Sequence, residues 1–255
     1  MMRVLESFSL VGKVAAVTGT TRGLGRVLAL ALAEAGADVV HLNRNPNPEV
    51  EQACKDLGRA STSVYCELNG DAEHLGQALL AARDWRGQLD ILVNSAGIVS
   101  RGPILDRSVE EIHEVLQIDL VAPMHLSVAA ARLMIEQGGG KIINIASLMS
   151  FQGGLNVAAY AAAKSGLAGL TRALANEWGS QGICVNALVP GYIATEINAD
   201  LRADASRAAE FQTRIPAGRW GTPSDLTGGL VFLASPASNY VNGHLLVIDG
   251  GWMSR

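Results

Sequence analysis

Short runs rich in Val and Ile alternate with longer Ala- and Leu-rich segments along nearly the whole chain, and this alternation restricts the fold more than any single motif does. The short runs predict strands at Lys13–Thr18, Asp38–Asn43, Ser61–Cys66, Asp90–Val93, Lys141–Ala146, Ile183–Leu188 and Leu245–Ile248. Helical patterning is expected between them, at Gly23–Ala35, Pro48–Leu57, Asp71–Trp85, Ser108–Gln137, Ala158–Trp178 and Pro223–Leu233. Gly36 and Gly58 stop the first two helices. Ser108 with Glu111 three residues later reads as a capping box, and Pro123 predicts a bend inside that long helix. Pro190–Arg219 reads as a polar, partly helical excursion. Parallel strands need crossover helices, so the pattern predicts an α/β fold with a parallel sheet covered on both faces. No linker, repeat or low-complexity run divides the 255 residues, which points to a single domain.

Composition removes several functional classes. A net charge of −4 gives no basis for a nucleic-acid partner. There is no uninterrupted run of eighteen or more apolar residues of the kind that marks a membrane span. The opening MMRVLESFSLVGK has no apolar core segment or cleavage site, which argues against secretion. Cys54, Cys66 and Cys184 are odd in number and scattered, as expected for reduced thiols in the cytoplasm. The five histidines are isolated, so no metal site is expected.

The first strand runs into Thr18-Gly19-Thr20-Thr21-Arg22-Gly23-Leu24-Gly25, and a helix follows at once. Glycines at such a junction permit a tight turn and a close approach of backbone to a pyrophosphate, which the helix N-terminus attracts with unpaired N–H groups. The spacing is Gly-x-x-x-Gly-x-Gly, unlike the G-x-G-x-x-G of longer dehydrogenases. The second strand ends in Asn43-Arg44. A carboxylate there would bond ribose hydroxyls and repel a 2′-phosphate. With a neutral Asn43 and guanidiniums at Arg22 and Arg44, the residues suit a 2′-phosphate, so NADP(H) is expected to be accepted.

A second cluster lies in SLMSFQGGLNVAAYAAAK, Ser147 to Lys164. Tyr160 and Lys164 are four apart in an Ala-rich helical run and so share one face. A free phenol ionises only near pH 10, and a fixed ammonium beside a phenol favours its anion. Such a pair is suited to exchanging a proton with a carbinol or carbonyl oxygen.

With TGTTRGLG, NSAG at Asn94–Gly97, Ser147, the Tyr160/Lys164 pair and PGYIAT at Pro190–Thr195 in register, the chain resembles the short-chain dehydrogenase/reductases over essentially its whole length. That resemblance implies a doubly wound Rossmann fold with a seven-stranded parallel sheet, assembled as a homotetramer. It implies Tyr160 as general acid/base, with Lys164 assisting it and binding the nicotinamide ribose. Ser147 would hold the substrate oxygen. Asn94, Ala96 and Gly97 would lie beside the adenosine ribose, and Pro190, Gly191, Ile193 and Thr195 beside the nicotinamide. Two positions depart from the family pattern: Ser95 replaces an amide, and Asp119 stands where an Asn that supports a water in the proton relay is usual. Asp119 would stabilise the Lys164 ammonium and offset part of its effect on Tyr160, with slower turnover or a displaced pH optimum; alternatively it takes over a structural role.

Within the family, GKIINIASLMSFQGGLNVAAY, LRADASRAAE, RIPAGRWGTPSDL and the C-terminal VIDGGW are similar to sugar-acid dehydrogenases. That group is expected to favour NAD, against the reading of Arg22 and Arg44, so the cofactor expectation is NAD(P)(H). A polyhydroxy acid needs many hydrogen-bond partners and a cation. Gln152, Asn156 and Tyr192 are candidates for the first, Arg101 or Arg219 for the second. The alternatives are a 3-oxoacyl-thioester reductase and a dinucleotide-binding sensor with little turnover.

Overall fold

Seven parallel strands form one sheet in the order β3-β2-β1-β4-β5-β6-β7. The strands are β1 (Val14–Thr18), β2 (Asp38–Asn43), β3 (Ser61–Tyr65), β4 (Ile91–Asn94), β5 (Gly140–Ile145), β6 (Ile183–Pro190) and β7 (Leu245–Ile248). The helices are α1 (Gly23–Glu34), α2 (Pro48–Asp56), α3 (Ala72–Arg86), α4 (Val109–Leu116), α5 (Ala122–Glu136), α6 (Ala158–Trp178), α7 (Ala205–Arg214) and α8 (Thr227–Ala234). This computed structural model describes residues 3–199 and 203–254; part of the LRADASRAAE stretch therefore lies outside the described residues. The chain winds outward from β1 in one direction and from β4 in the other, so a crevice opens between their carboxyl ends.

Alternate residues of each strand feed opposite layers. Ala16, Val40, Leu92 and Ile142 pack with Leu79 of α3 and Leu126 and Met134 of α5. Ala15, Val17, Val39 and Ile143 pack with Leu28 and Leu32 of α1 and Leu230 and Leu233 of α8. Every residue of β1 is buried, as a strand covered on both faces requires. Side chains fix the helix starts. Asn47 accepts from the N–H groups of Glu49 and Val50 before Pro48 opens α2. Asp71 caps α3. Ser108 and Glu111 form the reciprocal capping box expected of them.

The long helix is irregular just before Pro123. It stays helical from Val109 to Glu136, but Gln117–Val121 is a π turn lying before Pro123. Proline lacks the N–H that would bond the Asp119 carbonyl, so the ladder shifts to five-residue spacing upstream, with Ala122 N–H bonding Gln117 O. By length and composition this helix is apolar enough to cross a bilayer. Here Leu126, Ala130, Ala131 and Met134 are buried in the protein core instead.

One core group sets an acid limit on stability. His41 of β2 is fully buried, and its Nε2 lies 2.8 Å from Ser61 Oγ. Burial pushes its pKa down to about 4, against a small opposing pull from Glu51. Unfolded histidine titrates near 6.5, so between these values the unfolded chain binds a proton the folded one refuses. This contribution is complete above about pH 6.5 and is lost as pH falls towards 4, a loss of up to about 3 kcal/mol. Urea unfolding at pH 7 and pH 4.5 should show His41→Gln losing less stability on acidification than the wild type; equal losses would refute the assignment.

Candidate active site

The carboxyl end of β1 is tied to the loop after β4. Thr18 Oγ1 accepts from the N–H groups of Ser95 (2.9 Å) and Ala96 (3.0 Å). This draws the glycine turn so close to that loop that a Cβ on Gly19 would lie 2.9 Å from Ala96 Cα. Gly19 also has φ +71°, which disfavours any other residue. A Cβ on Gly25 would lie 2.2 Å from Gly19 O. The helix α1 begins with no side-chain cap on its first N–H groups, leaving them for a ligand. Gly25→Ala must therefore push the turn off α1. It should lower dinucleotide affinity at least about tenfold and cost roughly 1–3 kcal/mol of stability, read by nucleotide titration and thermal unfolding. Unchanged affinity would show that the turn is not the binding element.

Asn43 lines the cleft, and its amide is braced against the glycine turn. It is buried, its Oδ1 accepts from Thr20 N (2.9 Å), and its Nδ2 donates to Thr20 Oγ1 (2.8 Å), so it shapes the turn. Arg22 and Arg44 both line the cleft, each beside a carboxylate: Arg22 is 3.4 Å from Glu196 and Arg44 is 3.8 Å from Glu67. Asn94 is a correction to the sequence reading. It points into the core, where its Nδ2 donates to Asn144 Oδ1 (2.9 Å) and Ser127 Oγ (3.3 Å). Asn144 in turn donates to Thr171 Oγ1 (3.0 Å). Asn94 and Asn144 face each other in the β4–β5 register, which is why an amide at the end of β4 is consumed there.

The inner end of the cleft holds Ser147, Tyr160, Lys164 and Asp119 together. The α6 helix carries Tyr160 and Lys164 as expected, with the Lys164 Nζ 5.6 Å from the centre of the Tyr160 ring. Lys164 is almost wholly buried. Its Nζ donates to Ile145 O (3.0 Å) and lies 3.2 Å from Asp119 Oδ2. Burial alone would lower the Lys164 pKa. The charge of Asp119, then that of Tyr160, outweighs burial and holds the pKa above the usual lysine value, so the amine stays an ammonium at neutral pH. Asp119, carried on the π turn, is fully buried, and its Oδ1 accepts from Ile98 N (2.8 Å). A Cβ on Gly97 would come within 3.1 Å of this carboxylate. Ser147 Oγ accepts from Met149 N (3.2 Å), which leaves its own proton to donate outward.

The outer wall is formed by Pro190, Gly191, Tyr192, Ile193 and Thr195. Gly191 is needed because a Cβ there would meet Asp249 Cα at 2.5 Å. Thr21, Gly23, Leu24, Ala96 and Arg101 also line the cleft, whose volume is about 850 Å³. Arg101 Nη2 donates to Asn198 Oδ1 (3.2 Å). Gln152, Asn156 and Arg219 fall outside the lining residues. Asn156 is at φ +61°, and its carbonyl accepts from Gly102 N (2.9 Å), so it shapes a loop. Arg219 makes a two-pronged pair with Asp225, both bonds 2.8 Å. Glu67, Glu196 and Asn198 line the cleft too, and no motif pointed to them. A dinucleotide fits these residues. Backbone without Cβ atoms and open N–H groups stand at one end for phosphates, and an ammonium beside a phenol stands at the other.

A family model described as Enoyl-(Acyl carrier protein) reductase matches residues 19–253. The 2-dehydro-3-deoxy-D-gluconate 5-dehydrogenase of Escherichia coli (strain K12) is 49% identical over 254 residues, spanning 99% of this chain and 100% of that protein. A solved structure of a gluconate 5-dehydrogenase from Burkholderia cenocepacia J2315, in complex with NADP and tartrate, is 38% identical with a TM-score of 0.95, covering 99% of this chain and 100% of that one. That of a putative NAD(P) dependent gluconate 5-dehydrogenase from Beutenbergia cavernae, with NADP bound at low occupancy, is 46% identical with a TM-score of 0.93, covering 98% and 100%. Sequence likeness over the full length, the seven-stranded parallel sheet and a cleft running from a glycine turn to a buried lysine agree, and the chain belongs to the short-chain dehydrogenase/reductase family.

Proposed function

We propose that this protein is an NAD(P)-dependent dehydrogenase that interconverts a secondary alcohol and a ketone in a sugar acid of the 2-dehydro-3-deoxy-D-gluconate or gluconate type. The observation that carries the reading is the buried Lys164 ammonium beneath the Tyr160 ring, at the inner end of the cleft that begins at Gly19. The names of the similar proteins support the substrate class.

A bound nicotinamide dinucleotide supplies the hydride acceptor or donor. The Gly19–Gly25 turn and the first N–H groups of α1 hold its phosphates. Ser147 donates a hydrogen bond to the reacting oxygen of the substrate, and Tyr160 moves the proton at that same oxygen. Lys164 places fixed positive charge where the phenolate forms. Asp119 and Ile145 O pin that ammonium so that it does not drift between turnovers. Arg101, which lines the cleft, is the cation we assign to the substrate carboxylate, and Tyr192 lines the same cleft. Burial raises the Tyr192 phenol pKa, while Arg214 and then Arg101 oppose that shift.

The assembly proposed is a cytoplasmic homotetramer. Exposed apolar side chains such as Leu105 and Val109 support burial against further copies, and sedimentation velocity tests it. The functional test is absorbance at 340 nm with both nicotinamides on gluconate, 2-dehydro-3-deoxy-D-gluconate and their 5-keto forms. Turnover on one of these is expected. Reduction of a 3-oxoacyl thioester with no action on any sugar acid would overturn the substrate class, and tight nucleotide binding without turnover would leave only a sensor.

A further inference from the structure

Both arginines that suit a 2′-phosphate already face carboxylates. Arg44 Nε lies 3.8 Å from Glu67 Oε2, and Arg22 Nη1 lies 3.4 Å from Glu196 Oε2. All four residues line the same cleft. At the β2 end, Asn43 is held by two hydrogen bonds to Thr20 and adds no charge. The formal charge of this corner is therefore balanced, two guanidiniums against two carboxylates.

We propose that Glu67 and Glu196 set the choice between NAD and NADP by competing with a 2′-phosphate for Arg44 and Arg22. This rests on the dinucleotide reading of the cleft. A 2′-phosphate gains from two guanidiniums, but it must displace a carboxylate from each and then lie near that displaced charge. A ribose diol carries no charge and meets neither cost. The result is an enzyme that takes both nicotinamides, with the preference held near balance. The two glutamates do not weigh equally. Glu67 is the less exposed, at 29% against 69% for Glu196, so its charge is less screened by water and its effect is the larger. The pairs themselves are loose enough for a phosphate to open, because exposed ion pairs contribute little.

The test uses the full chain and two probes, 5′-AMP and 2′,5′-ADP, titrated by calorimetry. Both carry the same adenosine and 5′-phosphate, so any role of a glutamate toward those parts cancels in the ratio of their dissociation constants. Glu67→Gln should raise the preference for 2′,5′-ADP about threefold to fivefold, and Glu196→Gln about twofold. The ratio of kcat/KM for NADP against NAD should move the same way. In an Arg44→Ala background the Glu67→Gln effect should fall to less than about twofold, since the competition needs its guanidinium. A preference unchanged in both single variants would overturn the proposal. So would a Glu67→Gln effect of equal size with and without Arg44, since the glutamate would then act on the phosphate alone. If neither probe bound the wild-type chain, the dinucleotide reading itself would fail, an outcome separable from binding with an unmoved ratio.

Discussion

Tyr160→Phe should reduce sugar-acid turnover by about a thousandfold or more while leaving nucleotide dissociation constants within about threefold of wild type. The change removes one oxygen. It leaves the ring that stands over Lys164 and the helix that carries it, so the cleft keeps its shape. What disappears is the group that moves the proton at the substrate oxygen, and general acid–base catalysis by one positioned side chain is worth about 10²–10⁴ in rate. Steady-state kinetics alongside nucleotide titration separates the two effects. A variant retaining a tenth of the wild-type kcat would show that another group handles the proton.

The second large effect lies in the pair beneath that ring. Lys164→Met should destabilise the fold by about 3–5 kcal/mol, because it strands a fully buried Asp119 carboxylate with one backbone N–H for company. It should also abolish turnover. Lys164→Met combined with Asp119→Leu removes both charges and should recover most of the lost stability without recovering activity, separating the ion pair's structural cost from its chemical use. Asp119→Asn is the informative conservative change. An amide keeps an acceptor for Ile98 N–H but withdraws the charge that holds Lys164 protonated. The alkaline limb of the kcat profile should then move to lower pH, since Asp119 raises the Lys164 pKa and its loss lowers it. A profile unmoved in Asp119→Asn, or a double variant no more stable than Lys164→Met alone, would remove Asp119 from the account.

Local order was legible where one sequence signal decided it. The strands at Asp38–Asn43 and Leu245–Ile248 and the helix at Ala158–Trp178 fall where apolar periodicity and flanking glycines put them. The irregularity of the long helix lies just upstream of Pro123, as a π turn, because a proline disturbs the carbonyl four residues before it. Gln152 and Asn156 were read as cleft residues from the segment that carries them, and both fall outside the lining. Asn94 was placed beside the ribose by resemblance, but which way a side chain points depends on partners far away in sequence. Asn144 claims Asn94 from fifty residues off. Glu67 and Glu196 escaped notice for the same reason, since each meets its arginine only in the fold. Asp119 was the exception: its neighbour Lys164 was already suspected, and the π turn delivers it there.

The paired amides of Asn94 and Asn144 carry a meaning for how this chain finds its fold. They stand opposite each other at the junction where β4 meets β5, between hydroxyls on α5 and α6. Hydrophobic strands alone would tolerate sliding, since one Val or Ile replaces another with little penalty. A slip of one residue here would turn the two amides away from each other and break the Asn94–Asn144 hydrogen bond inside the core. Each misaligned intermediate thus carries its own penalty, and the two amides act as a proofreading mark for the central strands.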